Sequence, residues 1–229
     1  MPAIYAAILT MILCVVDLAS SNIPIDVPSG TYKMAASTCF IATAWLAGAR
    51  QTVYGKVLLT GLIFSWFGDY FLIGGSQERF LAGLVSFFLA HVAYCVAYYV
   101  RGTDTHYAVS AGAILILPAL FVAPWIWPGV PAEMRVPVVA YLIVISAMVA
   151  LAVGTWGQPG SVLIVAGAIL FYGSDLFVAR GRFVERDLLN PLIGLPLYFG
   201  GQVLLALSIA RVTADEGTTS TRDTPPDRR

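Results

Sequence analysis

Residues 136–153 read Val-Pro-Val-Val-Ala-Tyr-Leu-Ile-Val-Ile-Ser-Ala-Met-Val-Ala-Leu-Ala-Val, eighteen residues without one charge. As an α-helix this run is about 27 Å long, close to the ~30 Å hydrocarbon core of a bilayer. Its apolar residues are continuous rather than alternating, which selects a membrane helix over a barrel strand. Similar windows recur on both sides, separated by polar or Gly/Pro punctuation. They give spans at 3–20, 32–49, 53–73, 80–100, 108–127, 135–154, 160–180 and 190–211. The fold class is therefore all-α, a polytopic membrane helix bundle of about eight transmembrane helices over residues 1–211. Residues 212–229, rich in Thr, Asp, Arg and Pro, read as a disordered tail. No Lys or Arg precedes the first apolar run, so it reads as a retained span rather than a signal peptide.

Composition leads to the same class. Of 229 residues 59% are hydrophobic and 11% charged, against about 25% charged in a soluble domain. Thirteen basic residues balance thirteen acidic ones, which argues against a nucleic-acid partner. Cys14, Cys39 and Cys95 have no CxxC spacing and there are only two histidines, so neither a metal nor a cofactor is expected. An even number of spans puts both termini on one side, side A. Side A carries seven basic residues and side B six; the positive-inside rule leans toward side A as cytoplasmic only when the tail is counted. The expected location is a bacterial plasma membrane.

Depth identifies candidate functional residues, because an ionisable group inside a span costs at least ~2.5–3.5 kcal/mol. Asp17, Lys33, Asp69 and Asp175 come from four spans and all lie near side B. Asp69 and Asp175 sit roughly 6–8 Å below that boundary. On the fourth span Gly83, Phe87, His91, Tyr94 and Tyr98 share one helical face, with His91 about 16 Å from side B. Gly194, Tyr198 and Gln202 form a second stripe on the last span. The picture is a polar funnel opening toward side B. Plainer readings stand beside it: snorkelling for Lys33, flanking charges for Arg180, Arg182 and Arg186, interhelical bonding for His91, and packing for Tyr94, Tyr98 and Tyr198.

Ordered motifs add to this. Gly68-Asp69, then Phe80-Leu81-Ala82-Gly83, then Phe87 to His91-Val92-Ala93-Tyr94 resemble the YhhN, or lysoplasmalogenase, family. Tyr141 and Met148 resemble its Tyr-plus-Met helix, Ser174-Asp175 through Arg182-Phe183 its second signature, and Tyr198 to Gln202 its closing Tyr-x-x-x-Gln. The likeness runs from about Lys33 to Ala210 and departs at Lys33-Met34, where the family usually has Lys-Pro. It implies an eight-span hydrolase that cleaves the vinyl ether of lysoplasmalogens, so the expected partners are a lysophospholipid substrate and membrane lipid.

Vinyl ethers hydrolyse by protonation of the β-carbon, followed by attack of water on an oxocarbenium ion. A site then needs one protonated carboxylic acid and one carboxylate, the division of labour used on glycosidic oxocarbenium ions. Asp69 and Asp175 are the expected catalytic pair, with the acid unassigned. Ser174 is expected to orient a carboxylate, Tyr198 or Gln202 to place water, and His91 to shuttle protons or hold the funnel in shape. Lys33 and Arg180 are expected at the head-group phosphate. Two rivals use the same carboxylates. An intramembrane aspartyl protease fits poorly, because Trp66 stands where a Gly-x-Gly-Asp motif needs glycine. A proton-coupled lipid or solute carrier is the stronger alternative.

Overall fold

The computed structural model describes residues 1–20, 28 and 30–222. Among them are eight long helices and no strand: α1 (Pro2–Ser20), α2 (Thr31–Leu46), α3 (Val53–Leu72), α4 (Gln77–Arg101), α5 (Thr105–Ile126), α6 (Arg135–Gly154), α7 (Ser161–Phe183) and α8 (Leu189–Arg222). Six of them are long and apolar enough to cross a membrane: α1, α4, α5, α6, α7 and α8. The other two are the polar contributors. Helix α2 has only 16 residues, and α3 carries Lys56 and Asp69.

Local signals set the ends. Thr52 caps α3 by accepting from the Gly55 amide at 2.9 Å, and Asp104 caps α5 by accepting from His106 at 2.8 Å. Helix α7 runs to Phe183, beyond the span limit at 180, because Arg180 and Arg182 in its last turn suit the negative end of the helix. The tail expected to be disordered from Val212 is helical through Arg222. Val212 is fully buried, and Asp215 is 3.1 Å from Arg101 of α4, so tertiary contacts carry α8 past the apolar run. Residues 223–229 lie outside the described residues.

Helix α8 packs against α1, α2, α3 and α7, which makes it the axis of the bundle. The tightest neighbours are α3 with α4 and α7 with α8. Glycine permits both approaches. A Cβ on Gly61 would sit 2.3 Å from the Tyr94 ring, and one on Gly201 would sit 2.9 Å from the Gly167 carbonyl oxygen. Polar bonds tie the same helices: Tyr54 to Ser208 at 2.6 Å, and Tyr94 to Gln202 at 2.8 Å. Helix α5 is peripheral; only Ile126 on it is buried. Its exposed Ile114, Leu117, Leu120 and Phe121 form a face suited to lipid and costly in water.

Candidate active site

Helices α2, α3, α6, α7 and α8 deliver side chains to one cavity of about 1140 Å³ at side B. Its walls include Lys33, Asp69, Tyr141, Ser174, Asp175 and Tyr198. The apolar walls come from α4, α5 and α6, and the rim from the 184–188 loop. The volume exceeds that of an ordinary drug-sized pocket and accommodates a lipid head group with part of its chain.

Asp69 is 1% exposed and surrounded by donors. Lys33 Nζ lies 3.1 Å from its Oδ1. Its Oδ2 accepts from the Ser37 hydroxyl and the Tyr198 hydroxyl, each at 2.6 Å. Lys33, Ser37 and Tyr198 thus fix the Asp69 carboxyl in place with one charged contact and two hydroxyl donors. Asp17 joins this group by accepting from the Lys33 amide.

Asp175 has a different environment. It is 15% exposed and faces the cavity. Its Oδ2 accepts from the Tyr141 hydroxyl at 2.6 Å. His91 Nε2 lies 3.8 Å away, too far for a hydrogen bond, and has no hydrogen-bond partner among the described residues. His91 Nδ1 is 2.6 Å from the Phe87 carbonyl oxygen, an acceptor only, so Nδ1 bears the ring proton. In the neutral imidazole Nε2 is then a lone pair aimed at a carboxyl oxygen.

The other expected residues divide into two groups. Tyr94 and Gln202 are fully buried and make a layer beneath the cavity: Tyr94 donates to Gln202 Oε1 at 2.8 Å and meets Ser65 at 3.2 Å. Neither they nor His91 lines the cavity, so Gln202 is not positioned to place water in it. Ser174 lines the cavity; its hydroxyl is 2.7 Å from the Phe171 carbonyl oxygen and also bonds the adjacent Asp175 carboxyl. The cations expected at the phosphate have other partners. Lys33 pairs with Asp69. Arg180 is outside the cavity wall, held by Asp187 at 2.7 and 2.9 Å, Glu185 at 2.9 Å and Asn190 at 2.7 Å.

Sequence reasoning missed Ser37 as a partner of Asp69 and Tyr141 as a partner of Asp175. Ser37 follows Lys33 by one helical turn, and Tyr141 is the only tyrosine of an otherwise apolar span. Those are the signals that would have found them.

A multi-pass membrane helix bundle with two carboxylates in one lipid-sized cavity is the class that fold and site define. The sequence matches the YhhN family over residues 30–209, and the chain belongs to that family. It is 27% identical over 162 residues to "Lysoplasmalogenase TMEM86A" of Bos taurus, covering 66% of this chain and 64% of that protein. It is 29% identical over 149 residues to "Lysoplasmalogenase" of Mycobacterium bovis, covering 62% and 54%, and the same figures hold for "Lysoplasmalogenase" of Mycobacterium tuberculosis. The chain thus spans between about half and just under two thirds of the length of these relatives. No solved structure matches it.

Proposed function

We propose that this chain is a membrane-embedded hydrolase that cleaves the vinyl ether bond of lysoplasmalogens, releasing a fatty aldehyde and a glycerophospho-base. The observation that carries the reading is the unequal pair of carboxyls on one cavity, Asp69 among three donors and Asp175 opposite a histidine lone pair. Family membership and the names of the relatives agree with it.

Asp175 is the general acid in this scheme. Its proton goes to the β-carbon of the vinyl ether, and the electron pair of the C=C bond forms the new C–H bond. The positive charge is shared by the α-carbon and the ether oxygen. Asp69, fixed by Lys33, Ser37 and Tyr198, is the carboxylate of the scheme and stabilises that oxocarbenium ion electrostatically. Water attacks the α-carbon and loses a proton to the acceptors of the site, giving a hemiacetal. Collapse of the hemiacetal breaks the C–O bond, moves the hydroxyl proton to the departing glycerol oxygen and releases the aldehyde. A proton returned to Asp175 closes the cycle, so one water is consumed and the protein is unchanged.

The substrate's chemistry suits the depth of the site. A lysolipid carries its vinyl ether just beneath the head group, and both aspartates lie within the first turns below side B. The test is fatty-aldehyde release from lysoplasmenylethanolamine by purified, folded wild type, Asp69→Asn and Asp175→Asn. Release by wild type that both substitutions abolish supports the reading. A wild type that releases none, beside an active lysoplasmalogenase control, overturns it in favour of a carrier.

A further inference from the structure

The cavity rim carries charges that the hydrolytic scheme leaves unused. Arg182 and Arg186 both line the cavity, both are exposed, and neither pairs with an acidic side chain among the described residues. Arg182 is nevertheless held in place: its Cζ stands 4.5 Å from the centroid of the Phe80 ring, and Phe80 meets Phe183 edge-on at 6.0 Å. On the same rim Glu185 and Asp187 share the single cation Arg180. Two carboxylates against one guanidinium leave an acidic surplus, and the Glu185 side chain is 65% exposed. The rim therefore presents two unpaired guanidinium groups beside under-neutralised carboxylates.

We infer that this rim is a recognition site for a zwitterionic phosphoethanolamine head group, with Arg182 and Arg186 taking the phosphate and Glu185 the ammonium. The inference rests on the lysolipid reading above and specifies its substrate. Guanidinium groups match phosphate oxygens in charge and fork geometry. A primary ammonium brings three donors to carboxylate acceptors. Choline has no N–H to give, and quaternary ammonium groups are held by open aromatic faces. At the rim itself Arg182 covers the face of Phe80, and Glu185 offers a carboxylate that only an N–H donor can use. Ethanolamine is thus preferred over choline.

The test uses the full chain in nanodiscs and two probes without a vinyl ether, saturated 1-O-alkyl lysophosphoethanolamine and its choline counterpart. Binding is followed by thermophoresis, and aldehyde release from the two vinyl ether lipids is followed in parallel. Wild type is expected to bind the ethanolamine probe about fivefold more tightly, and Arg182→Gln with Arg186→Gln to weaken both probes about tenfold. Glu185→Gln is expected to bring the ratio of the two probes close to one. All three residues are exposed, so the variants retain the fold; Asp187 is left intact because it caps α8.

Equal binding of the two probes by wild type, or no effect of the arginine substitutions, overturns the inference whether or not aldehyde is released. The expected binding pattern without aldehyde release upholds the rim and overturns the hydrolase reading instead.

Discussion

His91 and Asp175 face each other across 3.8 Å, Nε2 to Oδ2, while the opposite ring nitrogen of His91 is bonded to Phe87 of its own helix at 2.6 Å. In the proposed scheme this arrangement makes His91 a positioning residue for Asp175. It is fully buried and does not line the cavity. His91→Phe keeps the ring volume, which is packed on Phe171 and Tyr141, and removes the Nε2 lone pair together with the Nδ1 bond to Phe87. Steady-state kinetics are expected to show kcat reduced about tenfold with KM unchanged, the signature of an interaction made in the transition state alone. A raised KM with unchanged kcat contradicts this role.

The two aspartates are expected to fail differently. Asp175→Asn removes the proposed proton donor, a partly exposed carboxyl, so kcat is expected to fall by about 10²–10⁴ while a saturated lysolipid still binds. Asp69→Asn leaves the partly buried Lys33 beside a neutral amide and disturbs the Ser37 and Tyr198 bonds. It is expected to lose activity and to lower thermal stability, because removing one partner of a buried ion pair costs about 3–5 kcal/mol. Activity assays and thermal unfolding of both variants separate the two behaviours.

Tyr141→Phe deletes one hydroxyl, the donor 2.6 Å from Asp175. That bond orients the carboxyl. Its loss is expected to cost about tenfold in kcat with little change in stability, near the ~0.6 kcal/mol average for such bonds in membranes. Ser37→Ala makes the matching test on Asp69.

These partners define what the sequence could and could not tell. Long uncharged runs fix helices in a membrane protein with unusual certainty, since no other open structure satisfies the backbone there. Six helices were legible for that reason, α2 and α3 by the punctuation around them, and depth drew attention to Asp69 and Asp175, which line one cavity. The partnerships of Ser37 and Tyr141 were harder to read, because a hydroxyl costs little in a membrane helix and only its spacing or rarity on the span marks it. Arg180 and Arg182 are two residues apart, about 200° around the helix, and a span end does not reveal which of them turns to the cavity. The extension of α8 past Arg211 depends on Val212 and on Arg101 across the bundle, contacts that the local composition of the tail does not encode.

Close helix approach gives a stability prediction. Gly61→Ala places a methyl 2.3 Å from the Tyr94 ring, and Tyr94 is fully buried with its hydroxyl committed to Gln202. The ring cannot retreat without breaking that bond. Thermal unfolding in detergent is expected to report a loss of about 1–3 kcal/mol. Gly173→Ala, whose nearest atom would be 3.5 Å away, is the control and is expected to be nearly neutral.

The rim loop gives a prediction in pH. Arg180 bonds both oxygens of Asp187 at 2.7 and 2.9 Å and holds its carboxyl below the usual carboxylate range. A carboxyl whose pKa is lower folded than unfolded stabilises its surroundings above the unfolded value, and that contribution disappears as pH falls through the folded value. Asp187 also accepts from the Leu189 amide at 3.1 Å, so its protonation releases the start of α8 together with Arg180. Hydrogen exchange at residues 184–190 is expected to show protection, corrected for intrinsic rates, that is flat from neutral pH to about 4 and falls below it. Asp187→Asn is expected to exchange at the unprotected level across the whole range. The same acid-dependent fall in the variant would assign the transition to Glu185 instead, the other carboxylate bonded to Arg180.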